Sequence, residues 1–101
     1  MINVLIVDDE PLALDVLETY ISKMPELNLI KRCSNALEAN EALKNNQVDL
    51  MFLDIQMPQL TGVDFVKTLA KPPLIVFTLR VARRDSSGTT GTLVMRFASS
   101  G

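Results

Sequence analysis

Leu50-Met51-Phe52-Leu53-Asp54-Ile55-Gln56-Met57-Pro58 decides how this chain is read. A short apolar run of this kind is a strand buried on both of its faces. It closes on a carboxylate. The same arrangement occurs near the start of the chain, where Val4-Leu5-Ile6-Val7 runs into Asp8-Asp9. Two such strands, lying parallel in one sheet, bring three acidic side chains to a common rim. Oxygen donors gathered in this way suit a hard divalent cation such as Mg²⁺, which prefers oxygen ligands and keeps several waters. A carboxylate beside such a cation can also act as a nucleophile toward a phosphoryl donor.

Residues 2–7 are short, apolar and β-branched, and read as a strand. Pro11 suits the first turn of a helix. Ala13, Val16, Leu17, Tyr20, Ile21 and Met24 follow at three- and four-residue spacing and predict its apolar face, with Pro25 as its end. Residues 27–33 alternate between apolar and polar and predict an edge strand. Ser34 or Asn35 is placed to cap a second helix whose buried face is Ala36, Ala39, Ala42 and Leu43 and which stops at Asn45-Asn46. Residues 48–53 form the third strand. Thr61-Gly62 opens a third helix carrying Val63, Val66, Leu69 and Ala70, ended by Lys71-Pro72-Pro73. Residues 74–77 form the fourth strand. The alternation of strand and helix predicts a parallel sheet covered on both faces, with its ligand site at the carboxyl ends of the strands. Asp15, Asp49 and Asp64 stand outside any motif and read as solvated. Met24, Met51 and Met57 read as packing residues.

From Leu79 the chain changes in kind. Residues 1–78 hold eleven acidic and six basic side chains, whereas 79–101 hold Arg80, Arg83, Arg84 and Arg96 against Asp85 alone. Residues 85–91 have loop composition and 92–98 alternate loosely, so 74–84 and 92–98 are expected to form an antiparallel hairpin. An edge left open by the fourth strand favours pairing of two copies through the tail, a homodimer. The tail has no lysine and a single aromatic, Phe97, which argues against nucleic-acid binding. At 101 residues the chain has the size of one small domain. It has no apolar run long enough to span a bilayer and no leader pattern, so a cytoplasmic location is expected. Cys33 is the sole cysteine and reads as a small core residue. There is no histidine, no Gly-rich phosphate loop and no Cys/His metal set, and a non-enzyme is expected.

Val7-Asp8-Asp9-Glu10-Pro11, Leu53-Asp54-Ile55-Gln56-Met57-Pro58 and Thr61-Gly62, in this order and spacing, resemble the receiver domain of bacterial response regulators. The Asp-Ile-Gln-Met-Pro wording and residues 71–78 are most similar to receivers of the LytTR type. The resemblance covers residues 1–78. It implies a flavodoxin-like doubly wound sheet of order 2-1-3-4, cut short, with the 79–101 tail as an added antiparallel strand. It implies that Asp54 accepts phosphate from a sensor histidine kinase in a two-component phosphorelay. It also implies that Mg²⁺ is held by Asp9, Asp54 and the Gln56 carbonyl, with Asp8 close by and acting partly through water. Pro58 and Gly62 would shape the neighbouring loop. The resemblance places the family's switch hydroxyl at Leu79, which has no hydroxyl. Thr78 lies one residue early and, by strand alternation, would face the other way. The family's lysine at the end of a later strand has no counterpart, because none follows Lys71. The resemblance therefore implies a receiver with an impaired switch acting through protein contacts or, in the alternative, a phosphorylation-deficient dimeric scaffold module.

Overall fold

The computed structural model describes residues 1–55, 65, 67, 69, 71–81 and 92–98. Among these residues five strands form one sheet in the order β2-β1-β3-β4-β5. The strands are β1 (Ile2–Val7), β2 (Leu27–Cys33), β3 (Leu50–Asp54), β4 (Leu74–Val81) and β5 (Thr92–Ala98), with helices α1 (Pro11–Ser22) and α2 (Ala36–Asn45) in between. The first four strands are parallel, giving the doubly wound order 2-1-3-4. β5 runs antiparallel along β4, from Ile75↔Ala98 to Val81↔Thr92.

Alternation along the strands divides the core into two layers. Val4 and Ile6 join Leu14, Leu17 and Ile21 of α1 on one face. Leu5, Val7, Cys33, Met51, Leu53 and Ile75 join Ala39 and Ala42 of α2, together with Phe65, on the other. Each layer removes apolar surface from water, the main favourable term in folding. Cys33 is fully buried, and this burial pushes its thiol up to about 11.

Several elements differ from their sequence reading. The buried face of α1 is Ala13, Leu14, Leu17 and Ile21, while Val16, Tyr20 and Met24 are exposed. The helix ends at Ser22, capped by backbone at Lys23, two residues short of Met24. Its apolar residues are spread widely around the axis, and contact with Val4 and Ile6 selects Leu14 over Val16. The third strand begins at Leu50, not at 48, and includes Asp54. The buried run 74–77 extends, as the hairpin expectation for 74–84 and 92–98 has it, through Thr78 and Leu79 to Val81, with β5 as antiparallel partner along that length and Leu79 pairing with Val94. Asp49 is exposed, as expected, and its carboxylate also accepts a hydrogen bond from the Asn3 N–H at 2.9 Å, while its own N–H donates to the Asn3 carbonyl. Asp15 likewise pairs with Arg32 of β2 at 2.8 Å, as does Glu18. Val63, Asp64, Val66 and Ala70 lie outside the described residues, as do residues 82–91.

At the start of α2, Asn35 Oδ1 accepts the Glu38 N–H at 2.8 Å. Glu38 reaches back to the Ser34 N–H and hydroxyl, which hold its carboxyl below the usual carboxylate range. This reciprocal arrangement satisfies donors that a helix start leaves orphaned. Asn35→Ala should therefore cost about 1 kcal/mol, read as a lower urea midpoint with an unchanged slope. Because the Glu38 carboxyl is depressed in the folded state, its contribution is present at neutral pH. It fades as the pH falls from the ordinary carboxylate range through the folded value.

Candidate metal and phosphoryl site

The site is assembled where β1 and β3 end beside the middle of β4. Val7, Leu53 and Phe77 pack on the α2 side of the sheet. One residue further along, Asp8, Asp54 and Thr78 therefore emerge on the α1 side. The pairing Val7↔Leu53 sets Asp8 level with Asp54, and the pairing Asp54↔Thr78 sets those two side by side. Carboxylate oxygens of Asp8, Asp9 and Asp54 all lie within 4.8 Å of one another. Asp8 and Asp54 are buried, whereas Asp9 remains on the solvent side.

Local backbone bonds hold this arrangement. The Asp8 N–H donates to the Cys33 carbonyl at 3.0 Å, which fixes the end of β1 against β2. The Glu10 N–H donates to Asp8 Oδ1 at 2.9 Å, turning the chain from the strand into α1. Pro11 then occupies the first helical position, where its missing N–H costs nothing. Beyond Asp54 the Ile55 N–H donates to the Thr78 carbonyl at 3.0 Å, so the chain leaves the sheet still attached to β4.

The register corrects the sequence reading of Thr78 and Leu79. With Leu79 at the switch position, alternation predicts that the Thr78 side chain faces away from Asp54. The strand pairing instead makes Thr78 the partner of Asp54, buried beside it at 1% exposure. Leu79 lies one residue past the end of the β3–β4 ladder, where its partner is Val94 of β5. The position level with the phosphoacceptor candidate is thus a threonine and not a leucine, and the site keeps a hydroxyl. Thr78 Oγ1 is fully buried and has no hydrogen-bond partner among the described residues. Native proteins rarely leave such a hydroxyl unsatisfied, and the cost is about 1–3 kcal/mol. Strand pairing set this geometry, and the sequence contained no signal for it beyond the hydroxyl itself. Gln56, Pro58 and Gly62 lie outside the described residues. Lys71 is exposed and precedes β4, seven residues before Thr78.

The donor set is all oxygen, clustered and partly open to water, and so fits a hard divalent cation better than a thiolate-seeking metal. Burying two carboxylates at this spacing gives the cluster reason to hold positive charge.

Residues 4–91 match the family model of the response regulator receiver domain. Escherichia coli (strain K12) transcriptional regulatory protein BtsR is 43% identical over 79 residues, which is 76% of this chain and 33% of that protein. A protein-glutamate methylesterase/protein-glutamine glutaminase of Rhizobium etli is 33% identical over 93 residues, covering 90% of this chain and 27% of the relative. The chain thus spans about a third or less of the curated relatives it matches. Among solved structures, the response regulator domain of Thermotoga maritima CheB superposes with a TM-score of 0.72 at 28% identity, over 78% of this chain and 60% of that one. Among the described residues no helix is long and apolar enough to cross a membrane.

Proposed function

The chain belongs to the response regulator receiver domain family of two-component signalling, and from this premise we propose that Asp54 is its phosphoacceptor. The observation that carries the proposal is the convergence of Asp8, Asp9 and Asp54 beside the buried hydroxyl of Thr78, which no described residue hydrogen-bonds. A carboxylate oxygen of Asp54 forms the new bond to phosphorus. The bond to the donor breaks, and its electron pair leaves with the donor, an imidazole of a sensor histidine kinase or the acetate of acetyl phosphate. Mg²⁺, held by Asp9, Asp54 and the Gln56 carbonyl with Asp8 nearby, would offset charge on the acceptor and the incoming group. Thr78 Oγ1 would then donate a hydrogen bond to a phosphoryl oxygen, which ends its isolation.

Residues 72–101 contain no lysine to pair with the added charge. Uptake is therefore slow, and the usual rearrangement does not follow. Incubation with acetyl phosphate and Mg²⁺ should add one phosphoryl group over a long time course, detected by intact mass, with no addition when the metal is chelated. Fast, stoichiometric uptake with a large change in hydrogen exchange would overturn the impaired switch. No uptake at any Mg²⁺ concentration would overturn Asp54 as acceptor.

A second reading is favoured by the antiparallel β5 lying on the edge of β4. Here the chain is a dimeric binding module that occupies kinase or regulator surfaces without cycling through a phosphorylated state, its two copies joined through residues 79–101.

A further inference from the structure

We infer that two copies of this chain join through the outer edge of β5, in an antiparallel β5–β5 ladder centred on Met95 that makes one continuous sheet. The inference deepens the dimeric reading by assigning its surface and register. β5 closes one side of the sheet, and among the described residues no strand pairs with its outer edge. The outward N–H and C=O groups of a strand in that position form a template for another strand. β5 has no proline and no lysine, and its one charged residue is Arg96. The opposite edge is different. The β1–β2 pairing steps from Val4↔Leu29 to Leu5↔Lys31, so Ile30 is an extra residue that disturbs β2, and Lys31 and Arg32 follow it. A β5-on-β2 contact would also be head-to-tail and would not close, whereas β5 on β5 closes with twofold symmetry.

The register follows from using the whole strand. An axis at Met95 sets Thr92 opposite Ala98, Leu93 opposite Phe97 and Val94 opposite Arg96, so all seven residues pair and the two Arg96 positions do not coincide. An axis at any other residue leaves part of the strand unpaired. Across the ladder, the two Met95 Cα atoms would be about 4.5–5.5 Å apart, within the range of about 4.4–6.8 Å for a disulfide. The two Thr92 positions would be roughly 20 Å apart, six residues along the strand.

The test uses the full chain. Light scattering should give twice the 11.2 kDa chain mass at high concentration. Under mild oxidation Met95→Cys should cross-link to a dimer at least tenfold faster than Thr92→Cys. The native Cys33 is buried, with its thiol pushed up to about 11, and should not compete. Circular dichroism of both variants checks that they fold. A monomer mass over the whole concentration range, equal cross-linking of the two variants, or growth into larger species would each overturn the assignment. The result does not depend on whether Asp54 takes phosphate, which the acetyl phosphate assay reads separately.

Discussion

Asp54→Asn should take up no phosphoryl group from acetyl phosphate and should lose most of the stabilisation that Mg²⁺ gives the native chain. Its metal-free form should nevertheless be more stable than the native protein. Both effects come from crowding three carboxylates within 4.8 Å, two of them buried. Two like charges at that distance repel by roughly 3 kcal/mol at an effective dielectric constant of about 20. Water at Asp9 and the Glu10 N–H on Asp8 weaken this repulsion, so removing one charge should return about 1 kcal/mol. The amide keeps the shape of the carboxylate but lacks its charge and its nucleophilic oxygen. For the native chain, Mg²⁺ at a hundredfold excess over its dissociation constant should add about 2.7 kcal/mol of stability. Urea midpoints with and without Mg²⁺, measured for both chains, separate these contributions. Equal Mg²⁺ shifts in the two chains would show that the metal binds elsewhere, and a phosphorylated Asp54→Asn would place the acceptor on another residue.

The acidic rim was legible because its chemistry is dense in sequence. Two apolar runs each end in aspartate, and parallel pairing makes their ends meet whatever the fine register. Thr78 and Leu79 show where such reasoning stops. Which of them sits level with Asp54 depends on a one-residue choice of register between β3 and β4, and slipping by one residue reverses every side chain. The strand pairing Asp54↔Thr78 makes that choice in favour of the hydroxyl. The face of α1 was ambiguous for a related reason. Leu12, Ala13, Leu14, Val16, Leu17, Tyr20 and Ile21 offer more than one apolar stripe, and only the sheet beneath selects Leu14, Leu17 and Ile21. Asp49 gave no signal, since its bond to the Asn3 N–H spans 46 residues of sequence. Short-range features fared better. Asn35 at the α2 cap and Ala39 and Ala42 on its face needed only local spacing.

Phe65 is the residue that the spacing argument passed over, and its removal should have the largest effect on folding. The stripe through Val63, Val66 and Ala70 leaves it out, yet it is fully buried and among the largest such side chains of the described residues. It packs into the layer formed by Leu5, Val7, Met51, Leu53 and Ile75 from three strands, with Ala39 and Ala42 of α2 beside them. Leu69, four residues on, packs against the same layer. Ala39 and Ala42 of α2 are small, and the Phe65 ring packs in the same layer beside them. Phe65→Ala should therefore cost about 3–5 kcal/mol, the transfer loss plus the cavity left behind. For a domain of this size that lowers the melting temperature by roughly 15–30 °C. It is also a large share of the roughly 5–15 kcal/mol that holds a native domain together. Leu12→Ala, at a position 70% exposed, serves as the control and should change stability by no more than about 0.5 kcal/mol. Because Val7 and Leu53 support Asp8 and Asp54 from within the same layer, Phe65→Ala should also weaken Mg²⁺ binding under conditions where the variant is still folded. A Phe65→Ala midpoint within error of the native value would mean that this ring is not in the core and that the α2 face of the sheet is covered by something else.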